Sequence, residues 1–307
     1  MKILITPRSY GKNDPELFEK LSRAGFDVVR NDTGNTYTKE KMIEMIADCD
    51  GVIVGVDPLD KDVMDSAPDL KAIAKYGTGT DNIDLEEAEH RGIKVSITRG
   101  ANSESVADCA FTMMAALARK LPQIDANCRN KNWKKITTKD VSHATLGILG
   151  LGAIGKIMVK RASGFDMKVI AYDTYWDEEF AKANDVERVS LEDIFRLSDF
   201  VSVHVPLLPE TRNMIGREQF AMMKEDAIFV NCARGELVDE EALLDALENG
   251  EIGGAGLDVF VQEPPQDPRW YKLDNIIMGS HCAASAKSAA TNMGIMATDN
   301  IIRDLSE

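Results

Sequence analysis

Three ionisable side chains late in the sequence could together bind an anion and exchange a proton. Arg234, Glu263 and His281 each lie just beyond a short apolar run that is typical of a buried strand. The carboxyl ends of parallel strands meet at one edge of an open α/β sheet, where ligands bind. Arginine can hold a carboxylate, and histidine exchanges protons near neutral pH. We therefore expect the three side chains to converge on one crevice, although each by itself could be an ordinary loop residue.

A glycine-rich segment in the middle of the chain has the spacing of a dinucleotide-binding turn. Gly150, Gly152 and Gly155 form G-x-G-x-x-G between the apolar run Leu146–Leu149 and a helical pattern from Lys156. The first glycine permits a tight turn, and the second lets a pyrophosphate approach the main chain. The third lets helix and strand pack closely. The surrounding strand and helix make this pattern far more specific than the glycines alone.

An acidic residue at the end of the next strand predicts which dinucleotide binds. The amides of Ala153 and Ile154 begin the helix, where the positive end of the helix dipole favours an anion. The following strand pattern ends at Asp173, 18 residues after Gly155. A carboxylate at this spacing can accept hydrogen bonds from the adenosine ribose. Because Thr174–Trp176 supply no positive charge for a 2′-phosphate, the sequence predicts NAD rather than NADP.

These residues need a scaffold of alternating strands and helices, and the hydrophobic pattern predicts two such series. The first occupies about a hundred residues, and the second begins at Thr145 with the six strands of a complete dinucleotide-binding domain. The predicted strands are Lys2–Thr6, Asp27–Arg30, Gly51–Gly55, Ala72–Lys75, Lys94–Thr98, Thr145–Leu149, Lys168–Tyr172, Phe200–Val203, Ala227–Asn231, Ala255–Val259 and Ile276–Met278.

The predicted fold class is therefore α/β, with two doubly wound parallel-sheet domains. A flavodoxin-like, substrate-binding domain is expected to be discontinuous, with residues 1–99 and a terminal helix at 288–307. A Rossmann NAD-binding domain is expected to span residues 100–287. A long helix from Ser103 to Lys120 is predicted between the two series, with Pro122 as its end.

Composition argues against several classes of function. The formal net charge is −15 and the pI is about 4.8, so the chain repels nucleic acid. The N-terminal apolar run, Lys2–Thr6, is too short for a signal peptide, and no run approaches the ~20 residues of a transmembrane helix. The five cysteines are scattered and lack metal-ligand spacing. We expect a cytoplasmic protein with no membrane partner and no metal.

Several motifs together resemble one family. They are the stretch Lys75–Asp84, the glycine-rich turn, Cys232–Gly235, Asp258–Pro264 and His281. With them the chain resembles the D-isomer-specific 2-hydroxyacid dehydrogenases, which include 3-phosphoglycerate dehydrogenase and hydroxypyruvate reductase. The resemblance covers nearly the whole chain. It implies an NAD-dependent oxidoreductase that interconverts a D-2-hydroxy acid and its 2-keto acid by hydride transfer, and it implies a homodimer.

The resemblance also assigns roles to individual residues. His281 would supply or accept the proton, and Glu263 would hydrogen-bond the imidazole and fix its tautomer. Arg234 would hold the substrate carboxylate and polarise the carbonyl. Asp258 would contact the nicotinamide carboxamide. The remaining positions expected to line the cofactor are Thr78, Val205, Pro206, Cys232, Ala233, Ala283 and Ala284.

The substrate end is predicted from a glycine pair in the first domain. Gly77-Thr78-Gly79 can present main-chain amides as an anion nest, and the resembled family holds the substrate carboxylate with this loop. Tyr76 adjoins the loop and is a further candidate contact. The alternative is a tight turn before the helix start at Asp84.

The identity of the substrate stays open at this level. Phosphoglycerate-oxidising relatives tend to carry arginines at the places of Gly55 and Lys75, and here one is absent and the other is lysine. Both 3-phosphoglycerate with phosphohydroxypyruvate and hydroxypyruvate with glyoxylate remain candidates. A different class of function, a nonenzymatic NAD(H)-sensing protein, can use the same fold, although the full set of Arg234, Glu263 and His281 argues against it.

Overall fold

The first hundred residues alternate short strands with short helices, as their hydrophobic pattern predicts. In the computed structural model, which describes residues 1–306, the strands of this part all run parallel. The elements are β1 (Lys2–Ile5), α1 (Glu16–Arg23), β2 (Asp27–Arg30), α2 (Lys39–Ile46), β3 (Gly51–Val54), α3 (Lys61–Asp65), β4 (Ala72–Lys75), α4 (Leu85–His90) and β5 (Lys94–Ile97).

The strand order in this sheet is β2-β1-β3-β4-β5, with β3 and β4 buried along their whole length. Burial on both faces requires continuous apolar runs, which is why β3 reads GVIV without polar alternation. Thr38, Asp60 and Asp84 each accept a main-chain N–H with their side chains and so cap α2, α3 and α4. The order is that of the flavodoxin-like doubly wound sheet, which confirms the predicted fold class.

The second series begins with a long helix and continues through seven strands. Its elements are α5 (Ser103–Ala118), α6 (Leu121–Arg129), β6 (Thr145–Leu149), α7 (Ala153–Ser163), β7 (Lys168–Tyr172), α8 (Glu178–Ala183), β8 (Val186–Arg188), α9 (Leu191–Leu197), β9 (Phe200–Val203), α10 (Arg217–Met222), β10 (Ile228–Asn231), α11 (Glu240–Glu248), β11 (Gly254–Leu257) and β12 (Ile276–Met278). The final helix, α12 (Lys287–Ser306), follows them.

The seven strands lie in the order β12-β11-β10-β9-β6-β7-β8, again all parallel. The order reverses between β6 and β9, and ligands of open α/β sheets bind at such a switch point. Two apolar clusters form the core of this sheet, one of which includes α5 and the other α11. This is the Rossmann order, as predicted.

The structure corrects the sequence prediction at two elements. The long helix ends at Ala118, and Pro122 lies in the first turn of α6. Proline has no N–H to lose at the first turn, so the residue predicted to end one helix helps to begin the next. The edge strand β8 was not predicted, because only Val186 of its three residues is buried and no apolar alternation marks it.

The chain divides into two compact units. Unit 1 comprises Met1–Asn102 and the residues from Ser285 onward, and unit 2 comprises Ser103–Ala284. These limits lie three residues from the predicted domain limits at both crossings. Within unit 1, α12 packs against β3, β4, β5 and α1, so the terminal helix completes the first sheet's core. No helix within residues 1–306 has the length and apolarity needed to cross a membrane.

Candidate active site

The glycine-rich turn of unit 2 gives its three glycines different surroundings. Gly150 has a φ of +99°, and a Cβ on it would lie 2.8 Å from the carbonyl carbon of His204. A Cβ on Gly155 would lie 2.1 Å from the carbonyl oxygen of Gly150, so α7 packs directly on the turn. Gly152 has nothing within 4 Å of a Cβ position and is exposed, as is Ala153. The amino end of α7 is therefore open to a ligand, and no side chain caps it.

Asp173 is tied to this turn. One oxygen of its carboxylate accepts the main-chain N–H of Leu151 at 2.6 Å, and the other accepts that of Tyr175 at 2.8 Å. The side chain therefore holds the glycine-rich turn as well as being placed for a ribose. A carboxylate has about four acceptor positions, so two hydrogen bonds to the main chain leave capacity for hydroxyl groups.

Two cations contact residues that closely follow Asp173 in the sequence. Arg188 in β8 lies opposite Ala171 and places its guanidinium 5.2 Å from the ring centre of Trp176. Lys156 in α7 forms an ion pair with Asp177, which neutralises its charge locally. The local sequence Thr174–Trp176 lacks positive charge. Strand pairing brings Arg188 to Trp176, and α7 brings Lys156 to Asp177.

Arg234 lies in a tight turn that follows β10. The side chain of Asn231 stabilises this turn with two hydrogen bonds. The Asn231 side-chain oxygen accepts the N–H of Ala233 at 2.9 Å, and its side-chain amide donates to the carbonyl oxygen of Arg234 at 2.8 Å. Asn231 is 1% exposed. A Cβ on Gly235 would lie 2.1 Å from the carbonyl carbon of Phe260, so this turn packs directly on the next loop. Asn231 is a positioning residue whose role the sequence analysis missed.

Asp258 holds the loop that carries His281. Its carbonyl oxygen accepts the His281 N–H at 2.8 Å. Its carboxylate accepts the N–H groups of Cys282 and Ala283 at 2.9 and 2.7 Å. Asp258 is 1% exposed, and His281 adopts a φ of +54°. The nicotinamide contact expected of Asp258 stays a prediction, whereas the structure gives its carboxylate a task in shaping this loop.

Glu263 and His281 contact each other directly. The imidazole Nδ1 lies 3.0 Å from Glu263 Oε2 and 3.2 Å from Oε1, and Oε1 also accepts the Phe260 N–H. Burial acts to raise the pKa of Glu263. The hydrogen bond and charge of His281, the Phe260 N–H and the charge of Arg234 together outweigh it, so that this pKa is lowered. Glu263 is thus ionised near neutral pH. Its carboxylate accepts a hydrogen bond from His281, so the imidazole carries a proton on Nδ1.

The Nδ1 contact decides which imidazole nitrogen can do chemistry. With Nδ1–H bonded to Glu263, the second nitrogen, Nε2, is the one left to exchange a proton with a ligand. The side chains of His281 and Glu263 are 42% and 38% exposed, so the pair lies at the surface of unit 2. The structure thus brings two of the three predicted catalytic residues into contact, and the charge of Arg234 contributes to the lowered pKa of Glu263.

His204 adjoins the glycine-rich turn and is held neutral. Its N–H donates to the Leu149 carbonyl at 2.7 Å, and its Nε2 lies 2.9 Å from the Ser202 hydroxyl. Its Nδ1 is buried without a hydrogen-bond partner among residues 1–306. Burial lowers the pKa of His204 to about 4. Val205, the next residue, is half-buried, and Pro206 is exposed. Both positions are therefore accessible to a ligand.

The low pKa of His204 predicts a loss of stability in acid. In the unfolded chain a histidine titrates near pH 6.5, so between about pH 6.5 and 4 the unfolded state binds a proton that the native state does not. The free energy of unfolding should therefore fall by at most about 3 kcal/mol over this range on account of His204. Urea titrations of the wild type and of His204→Asn at about pH 7, 5.5 and 4 measure it. Equal slopes against pH in the two proteins would contradict the prediction.

The glycine pair of unit 1 follows β4. Gly77 has a φ of +145°, and its N–H donates to the Thr98 hydroxyl at 2.9 Å. The Thr98 N–H in turn donates to the Gly77 carbonyl oxygen at 2.9 Å. The first amide of the predicted anion nest is thus already bonded. Thr78 is exposed and Gly79 half-buried, and within residues 1–306 their amides donate to no other main-chain group.

The side chain of Tyr76 takes part in packing rather than facing a ligand. It is 8% exposed, and its hydroxyl donates to the Ala290 carbonyl oxygen in α12 at 2.7 Å. Burial raises the pKa of this phenol. The predicted substrate contact of the Tyr76 side chain therefore receives no support, because the return of α12 to the first sheet covers it. The contact between Tyr76 and Ala290 joins residues that are 214 positions apart, so the sequence around Tyr76 does not predict it.

Residues 111–283 match the family model "D-isomer specific 2-hydroxyacid dehydrogenase, NAD binding domain". The chain belongs to this family. A glyoxylate reductase of Korarchaeum cryptofilum is 43% identical over 273 residues, which cover 86% of this chain and 82% of the relative. A D-3-phosphoglycerate dehydrogenase of Methanocaldococcus jannaschii is 41% identical over 98% of this chain and 57% of its own length.

Solved structures agree with this membership. A protein of Thermus thermophilus has a TM-score of 0.90 at 34% identity, with 100% of this chain and 97% of that one covered. A D-lactate dehydrogenase of Aquifex aeolicus, complexed with NAD and lactic acid, has a TM-score of 0.86 at 26% identity, with 99% and 95% covered. The chain spans only about half the length of the D-3-phosphoglycerate dehydrogenases that it matches.

Family membership makes this protein an NAD-dependent dehydrogenase rather than a nonenzymatic sensor. The residues of unit 2 fit the cofactor. The uncapped start of α7 and the exposed Gly152 and Ala153 offer amides to a pyrophosphate, and Asp173 offers acceptors to a ribose. Within residues 1–306, no group of three or more histidine, cysteine, aspartate or glutamate side chains is arranged to hold a metal ion.

Proposed function

We propose that this protein reduces a small 2-keto acid to its D-2-hydroxy acid, with His281 as the acid/base, Glu263 as its partner and Arg234 as the residue that orients the substrate. The direct hydrogen bond between His281 Nδ1 and Glu263 Oε2, at 3.0 Å, carries the proposal. It joins residues from two separate loops into an acid/base unit of the type that a carbonyl reduction needs. When bound, NAD supplies or accepts the hydride.

Each residue of unit 2 then has a defined part. In the reducing direction, protonated His281 donates its Nε2 proton to the oxygen that becomes the hydroxyl. Glu263 keeps Nδ1 protonated and stabilises the imidazolium, as its lowered pKa implies. Arg234 bonds the substrate carboxylate and stabilises the negative charge that develops on the carbonyl oxygen. In the oxidising direction, neutral His281 accepts the hydroxyl proton at Nε2.

In unit 1, the amides of Thr78 and Gly79 offer hydrogen bonds to an anion such as a carboxylate. The Thr98–Gly77 hydrogen bonds hold this loop at the end of β4. Asn231 and Asp258 act through others: Asn231 fixes the turn of Arg234, and Asp258 fixes the loop of His281. The homodimer suggested by the resemblance stays a prediction.

The surroundings of Lys75 favour an unphosphorylated substrate. Lys75 is 6% exposed, and its ammonium donates to the carbonyl oxygen of Gly55 and to the side-chain oxygen of Asn82. The Asn82 amide donates to the same Gly55 carbonyl. The ammonium group of Lys75 is thus bound to Gly55 and Asn82 within unit 1 and is not directed outward to a phosphate. We therefore propose glyoxylate or hydroxypyruvate ahead of phosphohydroxypyruvate.

A substrate panel tests this proposal. NADH oxidation is measured with glyoxylate, hydroxypyruvate, pyruvate and phosphohydroxypyruvate, each over a full concentration range. We expect kcat/KM for glyoxylate or hydroxypyruvate to exceed that for phosphohydroxypyruvate at least tenfold. A reversed order would overturn the substrate proposal but leave the acid/base proposal standing. No turnover with any 2-keto acid would overturn both.

The role of Asp173 predicts a shift in cofactor preference. Asp173→Asn keeps the size of the side chain and one acceptor for the Leu151 N–H, but it removes the charge that repels a 2′-phosphate. Hydrogen bonds to charged groups contribute about 1.5–3 kcal/mol, so we expect the ratio of kcat/KM for NADH to that for NADPH to fall about 10- to 100-fold. Glu179→Gln, an exposed acid on α8, is the control. An unchanged ratio in Asp173→Asn would refute the assignment.

A further inference from the structure

The loop that carries Glu263 is bonded by a second carboxylate, which comes from outside the loop. Phe260 and Val261 are consecutive residues of this loop, and carboxylates accept both of their N–H groups. Glu263 accepts the Phe260 N–H at 3.1 Å, within the loop itself. Glu240, the first residue of α11, accepts the Val261 N–H at 2.7 Å across a separation of 21 residues. Hydrogen bonds to an ionised acceptor are among the stronger ones in proteins.

This hydrogen bond adds to the packing of Gly235 on the same loop. A Cβ on Gly235 would lie 2.4 Å from the Val261 nitrogen. The turn that carries Arg234 and the side chain of Glu240 therefore meet the loop at the same peptide group. Residues 234–240 thus hold the loop of Glu263 in two ways, by close packing of main chain and by a hydrogen bond to a carboxylate.

The loop becomes exposed at the peptide group that Glu240 binds. Phe260 is buried in the core of unit 2, whereas residues 261–264 are exposed. The Val261 N–H is therefore bonded where the chain leaves the core. An exposed segment with few buried contacts opens easily, so each hydrogen bond at its base helps to order it. Glu263 must be ordered to keep its 3.0 Å contact with His281 Nδ1.

The surroundings of Glu240 disfavour its charge. Burial raises the pKa of the Glu240 carboxyl group, and the nearby charges of Glu236 and Glu263 raise it as well. The hydrogen bond from the Val261 N–H acts in the opposite direction. A carboxylate kept where its charge is disfavoured is a candidate for a functional role. Here the N–H group that favours the charge belongs to the loop of Glu263.

We propose that Glu240 is a positioning residue of the dehydrogenase, which accepts the Val261 N–H and so holds the loop in the place from which Glu263 orients His281. This role requires an acceptor at the end of a side chain of this length, and it requires no contact of Glu240 with substrate or cofactor. The inference rests on the proposed function, because Glu263 and His281 form the acid/base pair of that function.

Three variants separate the acceptor of Glu240 from its charge. Glu240→Ala removes the acceptor. Because a displacement of about 1 Å at a catalytic group can lower a rate about 10²-fold, we expect kcat for 2-keto acid reduction to fall at least about tenfold. Glu240→Gln keeps an oxygen acceptor at the same reach and should keep kcat within about threefold. Glu240→Asp keeps the charge but is one methylene shorter, so it should lose nearly as much as Glu240→Ala. The KM for NADH should change less than about twofold in all three, since the cofactor does not depend on this loop contact.

A matched control makes the same change in the same turn of α11. Glu241 also lies in the first turn of this helix, but its side chain is exposed and forms a surface ion pair with Arg269. Glu241→Ala should keep kcat within about twofold, because such pairs contribute little. The melting temperature should fall by less than about 4 °C in every variant. Glu240→Asp tests the reach of the side chain if Glu240→Ala fails to fold.

Hydrogen exchange followed by mass spectrometry reports on the loop without reference to activity. The peptide that contains Val261 should exchange faster in Glu240→Ala and Glu240→Asp than in the wild type. It should exchange at the wild-type rate in Glu240→Gln and in Glu241→Ala. This pattern would show that the acceptor of Glu240, rather than its charge or its place in the helix, holds the loop.

The kinetic and exchange results together decide the role of Glu240. Unchanged kcat in Glu240→Ala would overturn it, as would a loss of kcat without faster exchange of the Val261 peptide. Equal losses in Glu240→Gln and Glu240→Ala would also overturn it, because the charge would then be what matters. Failure of the proposed function would look different. The wild type would then reduce no 2-keto acid, whereas the Val261 peptide would still exchange faster in Glu240→Ala.

Discussion

Replacing His281 with asparagine is expected to lower kcat for NADH-dependent 2-keto acid reduction about 10²- to 10⁴-fold, the usual contribution of a positioned acid/base. Asparagine has no group that titrates near neutral pH, so it cannot supply the proton that His281 Nε2 would donate. It also tolerates the left-handed backbone that His281 adopts at a φ of +54°. The loss should therefore arise from chemistry rather than from a distorted loop.

A matched control separates these two causes. His143 also has a positive φ, of +64°, and is exposed in unit 2. His143→Asn makes the same change of residue type in the same backbone conformation, and it should keep kcat within twofold. Steady-state kinetics at saturating NADH and substrate measure both variants. If His281→Asn kept full turnover at saturation, the acid/base role would have to be assigned elsewhere.

The His281 variant should also change the pH dependence of turnover. In the reducing direction the wild type needs a proton on Nε2 of His281, so kcat/KM should fall as the pH rises above neutrality. Glu263 stays ionised in that range, because its pKa is lowered by His281, the Phe260 N–H and Arg234 against the effect of burial. His281→Asn should lose the alkaline limb. A variant that kept this limb would show that another group supplies the proton.

Replacing Arg234 with glutamine is the second change with a large expected effect. Loss of a donor that stabilises charge in the transition state costs about 2.7–4 kcal/mol, which corresponds to about 10²- to 10³-fold in kcat/KM for the 2-keto acid. The KM for NADH should change less than threefold, since Arg234 is proposed to bind the substrate rather than the cofactor. Steady-state kinetics with each ligand varied in turn measure the separation.

Two further variants sharpen the test of Arg234. Arg234→Lys keeps the charge but loses the planar fork that bonds a carboxylate at two points, so its kcat/KM should lie between those of glutamine and arginine. Arg196→Gln removes an exposed arginine of α9 whose contact with Asp193 is a surface ion pair, which contributes little. It should behave as the wild type. Equal losses in NADH and keto-acid binding for Arg234→Gln would argue for a structural role instead.

Local sequence accounted for the cofactor end of the fold. The three glycines, the strand before them and the start of the helix after them lie within a single short stretch of chain, so local sequence is enough to recognise the motif. Asp173 follows at the end of the next strand, at the spacing that the motif predicts. The prediction was less complete where distant segments meet. Arg188 reaches Trp176, three residues after Asp173, through β8, a three-residue edge strand too short to leave a hydrophobic pattern.

The predicted catalytic set depended on more than its local sequence. Each of Arg234, Glu263 and His281 looks like an ordinary loop residue among its neighbours. Their order along the chain and their places after three successive strands predicted that they would converge, and family resemblance supplied the roles. His281 Nδ1 lies 3.0 Å from Glu263 Oε2, whereas the proton transfer itself stays a proposal.

The sequence by itself determined the two doubly wound sheets, the glycine-rich turn and the family, because periodicity and motif spacing are local or additive signals. Only the tertiary structure decided what buried groups do. It turned Tyr76 inward onto α12, engaged Lys75 with Gly55 and Asn82, and placed the Asp258 carboxylate on the loop of His281. These outcomes depend on which elements pack together over long sequence separations. The local sequence on either side of such a contact does not indicate which residue lies opposite.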